Sequence, residues 1–243
     1  MIQTLFRTVL YQPILNLFIG LYTLIPDAGV AILLLTVLIK LLLYPLTAKS
    51  IEAQKSLTEL QPKLEEIKKQ HAGNQQMIAQ ETMKIYKEHK VNPFGSCLPI
   101  LIQLPVFIAL YWVLQAGLSG KDFGLLYSFI PNPVTLNTLS LGFIDLSKRS
   151  IVLALLAGAA QFWQAKMMTR KRPPKEAGQG GKDEDMAAMM NKQMLYMMPA
   201  LTVIIGFQLP SGLSLYWFLS TLLTALQQKI VFNRHAPTPT QTT

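Results

Sequence analysis

Lys40 is the residue whose type and position point most clearly to chemistry, because it is the one charged side chain in the apolar run from Ala28 to Leu46. A charge at the centre of a membrane span costs about 2.5–3.5 kcal/mol on insertion scales, so such residues usually face a cavity inside the protein. The alternative is snorkelling, because Lys40 lies seven residues before Thr47, roughly 10 Å along a helix from the cytoplasmic interface.

Polar side chains at helical spacing favour the cavity. Thr36 lies one turn before Lys40 on the same helix face, and other apolar runs contain Gln103, Gln161 and Gln164. The last apolar run carries a polar stripe at i, i+4, i+8 and i+11, formed by Tyr216, Ser220, Thr224 and Gln227. Such stripes can also be interhelical hydrogen bonds worth about 0.6 kcal/mol each. With one charge among them, they predict a wet interior. The candidate site residues are Lys40, Thr36, Gln103, Gln161, Tyr216, Ser220, Thr224 and Gln227.

Catalytic patterns are absent from the sequence. His71, His89 and His235 all fall in polar segments, and there is no HExxH motif for a metal. Ser214 could form a dyad only with Lys40, and the two are expected near opposite faces of the membrane. We therefore expect no enzyme, no metal and no cofactor.

Composition defines the class of protein. The chain has 243 residues, of which 51% are hydrophobic and 14% charged, with a net charge of +9. Soluble domains carry about 25% charged residues, and a nucleic-acid-binding protein this basic is normally less apolar, so no nucleic-acid site is predicted. The single Cys97 excludes a disulfide scaffold. Since about 20 apolar residues cross a bilayer, the chain has room for five or six spans and little else.

The apolar runs predict an all-α membrane protein with five transmembrane helices. The predicted order is an N-terminal external interfacial helix at 1–27, span one at 28–48, a cytoplasmic helical hairpin at 49–92, span two at 93–118, an external loop at 119–149, span three at 150–168, a flexible cytoplasmic loop at 169–192, span four at 193–210, span five at 211–232 and a cytoplasmic tail at 233–243. Residues 9–25 have apolar positions at helical spacing, so a sixth span is the alternative to a helix lying in the interface.

Basic residues set the predicted orientation. Segments 47–92 and 166–192 hold eight and seven of the 22 Lys and Arg residues, and Lys229 and Arg234 follow the last run. The positive-inside rule places these segments in the cytoplasm, which leaves the N-terminus outside. The helical hairpin is either a solvated linker or a docking or gating element near the membrane.

Several motifs together resemble the YidC/Oxa/Alb family of membrane protein insertases. The resemblance rests on these runs: Asn92-Pro93-Phe94-Gly95-Ser96-Cys97-Leu98-Pro99, Ile102-Gln103-Leu104-Pro105 with Ala109-Leu110-Tyr111, Lys40 with Tyr44-Pro45-Leu46-Thr47, Phe143-Ile144-Asp145-Leu146-Ser147, and Pro210-Ser211-Gly212-Leu213 with Leu215-Tyr216, Thr224 and Gln227-Gln228. It covers roughly residues 10–232, with all five predicted spans in order.

The resemblance implies five spans around a hydrophilic groove that is open to the cytoplasm and to lipid but closed outside. Such proteins insert newly made membrane proteins without nucleotide or metal, and one basic residue in the groove receives the hydrophilic part of the substrate. The implied partners are nascent membrane proteins, the lipid bilayer, the Sec translocon, and the ribosome or signal-recognition machinery. The implied location is the bacterial cytoplasmic membrane.

The chain departs from the family pattern in three respects. The groove residue is usually Arg in this family, whereas the matching residue is Lys40, which keeps the charge but loses the bidentate fork. No large external domain precedes the first span, and the tail is too short and weakly basic to predict a ribosome contact. The alternative function is a secondary transporter or channel that uses Lys40 in a polar cavity, although no internal repeat supports it.

Overall fold

The computed structural model describes residues 2–92, 98–118, 124–133, 135–168 and 193–234, and these residues are mostly helical. The chain begins with α1 (Ile2–Phe6), a π-helical turn (Arg7–Tyr11) and α2 (Gln12–Leu24), which run on as one N-terminal helix. The remaining elements are α3 (Ala28–Leu42), α4 (Tyr44–Gln70), α5 (Gln75–Glu88), α6 (Leu98–Leu118), β1 (Leu139–Ser140), β2 (Ile144–Asp145), α7 (Ile151–Met168), a π-helical turn (Gln193–Met197), α8 (Met198–Gln208) and α9 (Ser211–Arg234).

By length and composition, two described helices suffice to cross a membrane, Gln3–Leu24 and Ile151–Met168, and the bent pair α3 and α4 makes a third. Leu101–Gly117 and Leu195–Gln208 are shorter apolar helices. The helix α9 is not among these, and it carries the polar stripe that the sequence indicated. The predicted loop at 169–192 and the tail beyond Arg234 lie outside the described residues, as does Cys97.

A bend of 68° separates α3 from α4 within the apolar run that holds Lys40. Pro45 lies in the first turn of α4, where its missing N–H costs nothing, so a new helix begins there instead of continuing α3. A turn containing Gly73, whose φ is +88°, then joins α4 to α5. The side chain of Asn74 accepts a hydrogen bond from the Met77 amide and caps α5.

Small residues bring α7, α8 and α9 into close contact. Ala154, Ala157 and Gly158 lie buried on the packed face of α7. A Cβ atom on Gly158 would overlap the Val203 side chain of α8, so only glycine fits there. The Ser214 hydroxyl of α9 donates to the Gly206 carbonyl of α8 over 2.7 Å. Close backbone approach of this kind is how helices associate in lipid, where no hydrophobic force drives them together.

The segment between α6 and α7 covers one end of this bundle. Asp27 caps α3 by accepting from the amides of Gly29 (2.8 Å) and Val30 (3.1 Å). The same carboxylate accepts from the Ser140 hydroxyl (2.6 Å) and the Leu141 amide (2.7 Å), and so fixes the β1–β2 ribbon on the helix end.

Backbone hydrogen bonds continue this cover onto α9. The Ser211 amide donates to the Lys148 carbonyl over 2.7 Å, and the Gly212 amide donates to the Leu146 carbonyl over 3.0 Å. Leu146 is fully buried beneath the cover. This end of the bundle is therefore closed by a hydrogen-bonded ribbon and an apolar plug.

We predict that Asp27→Ala lowers the free energy of unfolding by about 1–2 kcal/mol, because the change removes a helix cap as well as the ribbon contacts. Partial burial raises the pKa of Asp27, but its four hydrogen bonds outweigh burial and hold the pKa below its usual value. The stabilisation is thus present above the unfolded-state pKa of about 4 and is lost as the pH falls through the lower folded-state value.

Thermal unfolding in detergent between pH 3 and 7 tests this prediction. Asp145→Ala is the matched control, since the Asp145 side chain bonds only its loop neighbours Ser147 and Lys148. Equal losses of stability from the two variants would contradict the role assigned to Asp27.

Candidate functional site

The amine of Lys40 lies where α3, α6 and α9 meet. Its Nζ atom donates to Thr224 Oγ1 over 2.8 Å and to Gln103 Oε1 over 3.3 Å. An ammonium group has three protons to donate, and these two bonds account for two of them. Among the described residues, no carboxylate lies within ion-pair distance of Lys40. The charge is therefore held by neutral groups and keeps one donor free within the described part of the chain.

Gln103 joins the charge to the polar stripe of α9. Its Oε1 atom accepts from Lys40 and also from the Ser220 hydroxyl over 3.3 Å. Its Nε2 atom donates to the phenol oxygen of Tyr216, which is almost fully buried. Five of the eight candidate residues thus form one continuous network: Lys40, Gln103, Tyr216, Ser220 and Thr224.

The other three candidates lie outside this network. Thr36 is 1% exposed, and its hydroxyl donates over 2.6 Å to the Ile32 carbonyl of its own helix. Gln227 lies further along α9, where it bonds the Thr47 hydroxyl and the Tyr44 carbonyl. Gln161 of α7 accepts a hydrogen bond over 2.9 Å from the Thr202 hydroxyl of α8. It therefore links these two helices to each other and not to the Lys40 network.

Two further polar residues belong to this region, although we did not select them from the sequence. Thr47 bonds Gln227, and its place in the run Tyr44-Pro45-Leu46-Thr47, which carries part of the family resemblance, is the signal that points to it. Gln228 is 1% exposed, and its Nε2 atom has no partner among the described residues. No sequence pattern distinguishes Gln228 from an ordinary interfacial glutamine.

The helices leave one side of the network without extensive packing. The helix α9 packs against α3, α4 and α7, and α8 packs mainly on α7. The helix α6 packs against the N-terminal helix and also touches α4 and α9, but it has no extensive contact with α8 in the described part of the chain. Leu101 and Leu104 of α6 are 62% and 55% exposed, and Ile204 of α8 is 58% exposed. Both α6 and α8 therefore present exposed apolar side chains.

The groups around Lys40 can bind and orient a guest. A half-buried ammonium with a free donor attracts carboxylates and carbonyl oxygens. The described residues include no cluster of metal-ligating side chains. The neighbours of Lys40 in the network are hydroxyls and an amide, which can orient a guest but cannot act as a general base near neutral pH.

The fold and the site together define a helical membrane protein whose interior holds one positive charge in a polar network. A family model described as 60Kd inner membrane protein matches residues 20–238. The chain belongs to this family, and its likeness to the insertases holds along most of its length.

Named relatives agree with this assignment. The chain is 37% identical over 208 residues to the membrane protein insertase YidC of Fusobacterium nucleatum subsp. nucleatum, covering 86% of this chain and 87% of the relative. It is 36% identical over 220 residues to the YidC of Anaeromyxobacter sp., covering 89% of this chain but only 34% of that protein. A crystal structure of an active YidC insertase superposes with a TM-score of 0.60 at 26% identity, covering 91% of this chain and 45% of that chain.

We predict that Thr224→Val lowers the free energy of unfolding by about 1.5–3 kcal/mol, since it removes a hydrogen bond to a charged group without changing the side-chain volume much. Thr36→Val is the matched control, because the Thr36 hydroxyl bonds only its own helix. Thermal unfolding in one detergent compares the two variants. A loss for Thr36→Val as large as that for Thr224→Val would show that the Lys40 bond carries no particular weight.

Proposed function

We propose that this protein inserts newly made membrane proteins into the lipid bilayer of the bacterial cytoplasmic membrane. The observation that carries the proposal is the Lys40 amine, held by Thr224 and Gln103 with no acidic partner among the described residues. A charge inside a membrane protein costs free energy, so it usually marks a site that binds or conducts a substrate. The names of the relatives, which align with most of this chain, support insertion as the use of that charge.

The proposed topology has five spans, with the N-terminus outside and the C-terminus in the cytoplasm. The spans are α3 with the first turn of α4, α6, α7, α8 with the turn before it, and α9. The hairpin of α4 and α5 lies in the cytoplasm in this topology, and the β1–β2 ribbon lies outside. The uneven distribution of Lys and Arg supports this orientation.

Contacts of α2 favour an interfacial helix over a sixth span. Asn16 is 2% exposed, donates to the Leu125 carbonyl over 3.0 Å and accepts from the Tyr127 amide over 2.6 Å. The Tyr22 phenol accepts from the Asn137 amide over 2.7 Å. Irregular backbone of this kind is not tolerated in contact with hydrocarbon. A helix that binds the external segment along its length therefore fits the membrane surface better than the bilayer core.

In the proposed mechanism, a polar segment of the substrate enters the space beside the Lys40 network from the cytoplasm. Its carboxylate or carbonyl groups accept a hydrogen bond from the remaining N–H of the Lys40 ammonium. This bond offsets part of the free-energy cost of losing their hydration on entering the membrane. The apolar helix of the substrate then leaves between α6 and α8 into lipid, favoured by about 0.8 kcal/mol for each buried CH₂ group. No bond is made or broken, so the cycle uses no nucleotide, cofactor or metal.

The proposed partners are nascent membrane proteins and the lipid bilayer, with the Sec translocon and the ribosome or signal-recognition machinery on family grounds. In the proposed topology, the hairpin of α4 and α5 lies on the cytoplasmic side, where it can contact the ribosome or the signal-recognition machinery. Lys55 of α4 donates to the Phe232 carbonyl over 3.4 Å and lies 5.7 Å from the centre of the Phe232 ring. This contact on α9 couples the base of the hairpin to the helix that carries the polar stripe.

We expect Lys40→Ala to slow insertion of a substrate with an acidic translocated tail about tenfold, because a hydrogen bond to a charged group is worth about 1.5–3 kcal/mol. Lys40→Arg is expected to retain activity, since it keeps the charge. The measurement is protease protection of the tail in vesicles containing only the purified protein. Lys166→Ala, at the exposed end of α7, is the control for loss of a charge elsewhere.

The substrate provides a second control for this experiment. A tail in which Asp and Glu are replaced by Asn and Gln should be inserted equally well by the wild-type protein and by the Lys40→Ala variant. Equal insertion of the acidic tail by the two proteins would refute charge reception. A solute flux through the purified protein, abolished by Lys40→Ala, would favour a transporter or channel instead.

We further predict that a photoreactive residue at Leu104 of α6 crosslinks to a stalled nascent membrane protein. Leu104 is 55% exposed and adjoins Gln103 on the side of α6 that faces away from the core. The matched control is Leu155 of α7, which is 54% exposed but lies beyond α9. Crosslinks of equal yield from both positions would contradict exit beside α6.

A further inference from the structure

A cavity of about 530 Å³ lies between the N-terminal helix and the end of α6 that is remote from Pro105, well away from the Lys40 network. Its volume lies within the range of small-molecule sites, roughly 300–1,000 Å³. The described residues that line it include Arg7, Tyr11, Tyr111, Trp112 and Gln115. One cation, two phenols, an indole and an amide thus face one space that the insertion mechanism does not use.

The guanidinium of Arg7 is the one charge among the described lining residues. Within the described part of the chain, Arg7 forms no ion pair, and no carboxylate lines the cavity. A guanidinium presents five N–H donors in a planar fork that matches a phosphate group bidentately. The cavity therefore has the electrostatic character of an anion site, with phosphate as the best geometric match.

The rim of the cavity is suited to an amphipathic ligand and not to a free ion. Trp112 is 55% exposed, and Phe6 and Leu125 add further apolar side chains to the lining. Indole and phenol rings are enriched where membranes meet water, because one end of each ring system is apolar and the other can hydrogen-bond. Apolar side chains beside a phosphate-binding group provide surface for acyl chains.

We propose that this cavity binds an anionic phospholipid, with its phosphate on Arg7 and its glycerol and upper acyl carbons against Trp112, Phe6 and Leu125. Among the described residues, the lining holds one positive charge and no carboxylate, which matches a lipid whose headgroup is net negative. The proposed topology places this cavity, and hence the bound lipid, in the outer leaflet. The proposal that the cavity binds a lipid does not depend on that topology. A bound lipid here would fix the N-terminal helix on α6 at the membrane surface.

Native mass spectrometry of the full chain in detergent, titrated with defined lipids, tests the proposal. Phosphatidylglycerol is expected to bind, and Arg7→Gln is expected to weaken its binding about tenfold, the usual scale for losing a charge-assisted phosphate contact. Arg149→Gln is the matched control, because Arg149 is an exposed guanidinium in an adjoining cavity of about 230 Å³ that shares Tyr111 and Gln115 with the first. The Arg149→Gln variant is expected to bind phosphatidylglycerol as tightly as the wild-type protein does.

Other outcomes would overturn the proposal. Equal binding of phosphatidylethanolamine would exclude selection by headgroup charge, and full competition by inorganic phosphate would indicate a simple anion site. Unchanged binding by Arg7→Gln, or equal weakening by Arg149→Gln, would exclude Arg7 as the receptor. Arg7→Lys keeps the charge without the fork and should bind between wild type and Arg7→Gln, so it serves if the glutamine variant does not fold. Insertion assays are not used, so failure here leaves the proposed function untouched.

Discussion

The need to satisfy one ammonium group inside a largely apolar bundle is the constraint on which the arrangement of helices depends. Burying an ammonium costs free energy unless it is hydrogen-bonded, so the neighbouring helices must bring polar partners to it. Lys40 on α3 obtains its partners from α6 and α9, through Gln103 and Thr224. A quarter-turn rotation of α3 would break both bonds, and the same rotation of α6 or α9 would break one of them. The polar network therefore fixes the register of three helices that apolar packing alone would leave free to slide.

Packing on the far side of α9 complements this constraint. The small residues of α7 let α8 and α9 approach closely, and the Ser214 hydroxyl bonds α9 to the Gly206 carbonyl. The helix α9 is thus held rigidly on one face while its other face carries the polar stripe. The ribbon bonded to Asp27 closes one end of the bundle, so the part of the structure left open lies along α6 and toward α4. Rigidity on one side and a gap on the other suit a site that receives and releases an extended chain.

Helical periodicity was sufficient to predict most of this network, because it fixes which residues of one helix share a face. It predicted the α9 stripe, of which Tyr216, Ser220 and Thr224 do meet the lysine network. It could not predict how the helices turn toward one another, so Gln161 faces α8 instead. Thr36 lies outside the network for a different reason. A threonine hydroxyl can donate to the carbonyl one turn back in its own helix, so it needs no partner from another helix. The sequence does not predict the 68° bend after Leu42, because a proline such as Pro45 can also be accommodated within a membrane span.

The presence of lysine where the resemblance leads one to expect arginine also follows from the geometry of the network. A guanidinium distributes its charge over a planar fork and needs acceptors in that plane, whereas an ammonium is a compact charge that accepts any tetrahedral arrangement of partners. Gln103 and Thr224 approach from two different helices and provide two such acceptors. The third proton is not used by either of these two partners. Lysine thereby leaves the site one further donor on a flexible stem, which in the proposed mechanism follows a mobile substrate instead of holding it in one geometry.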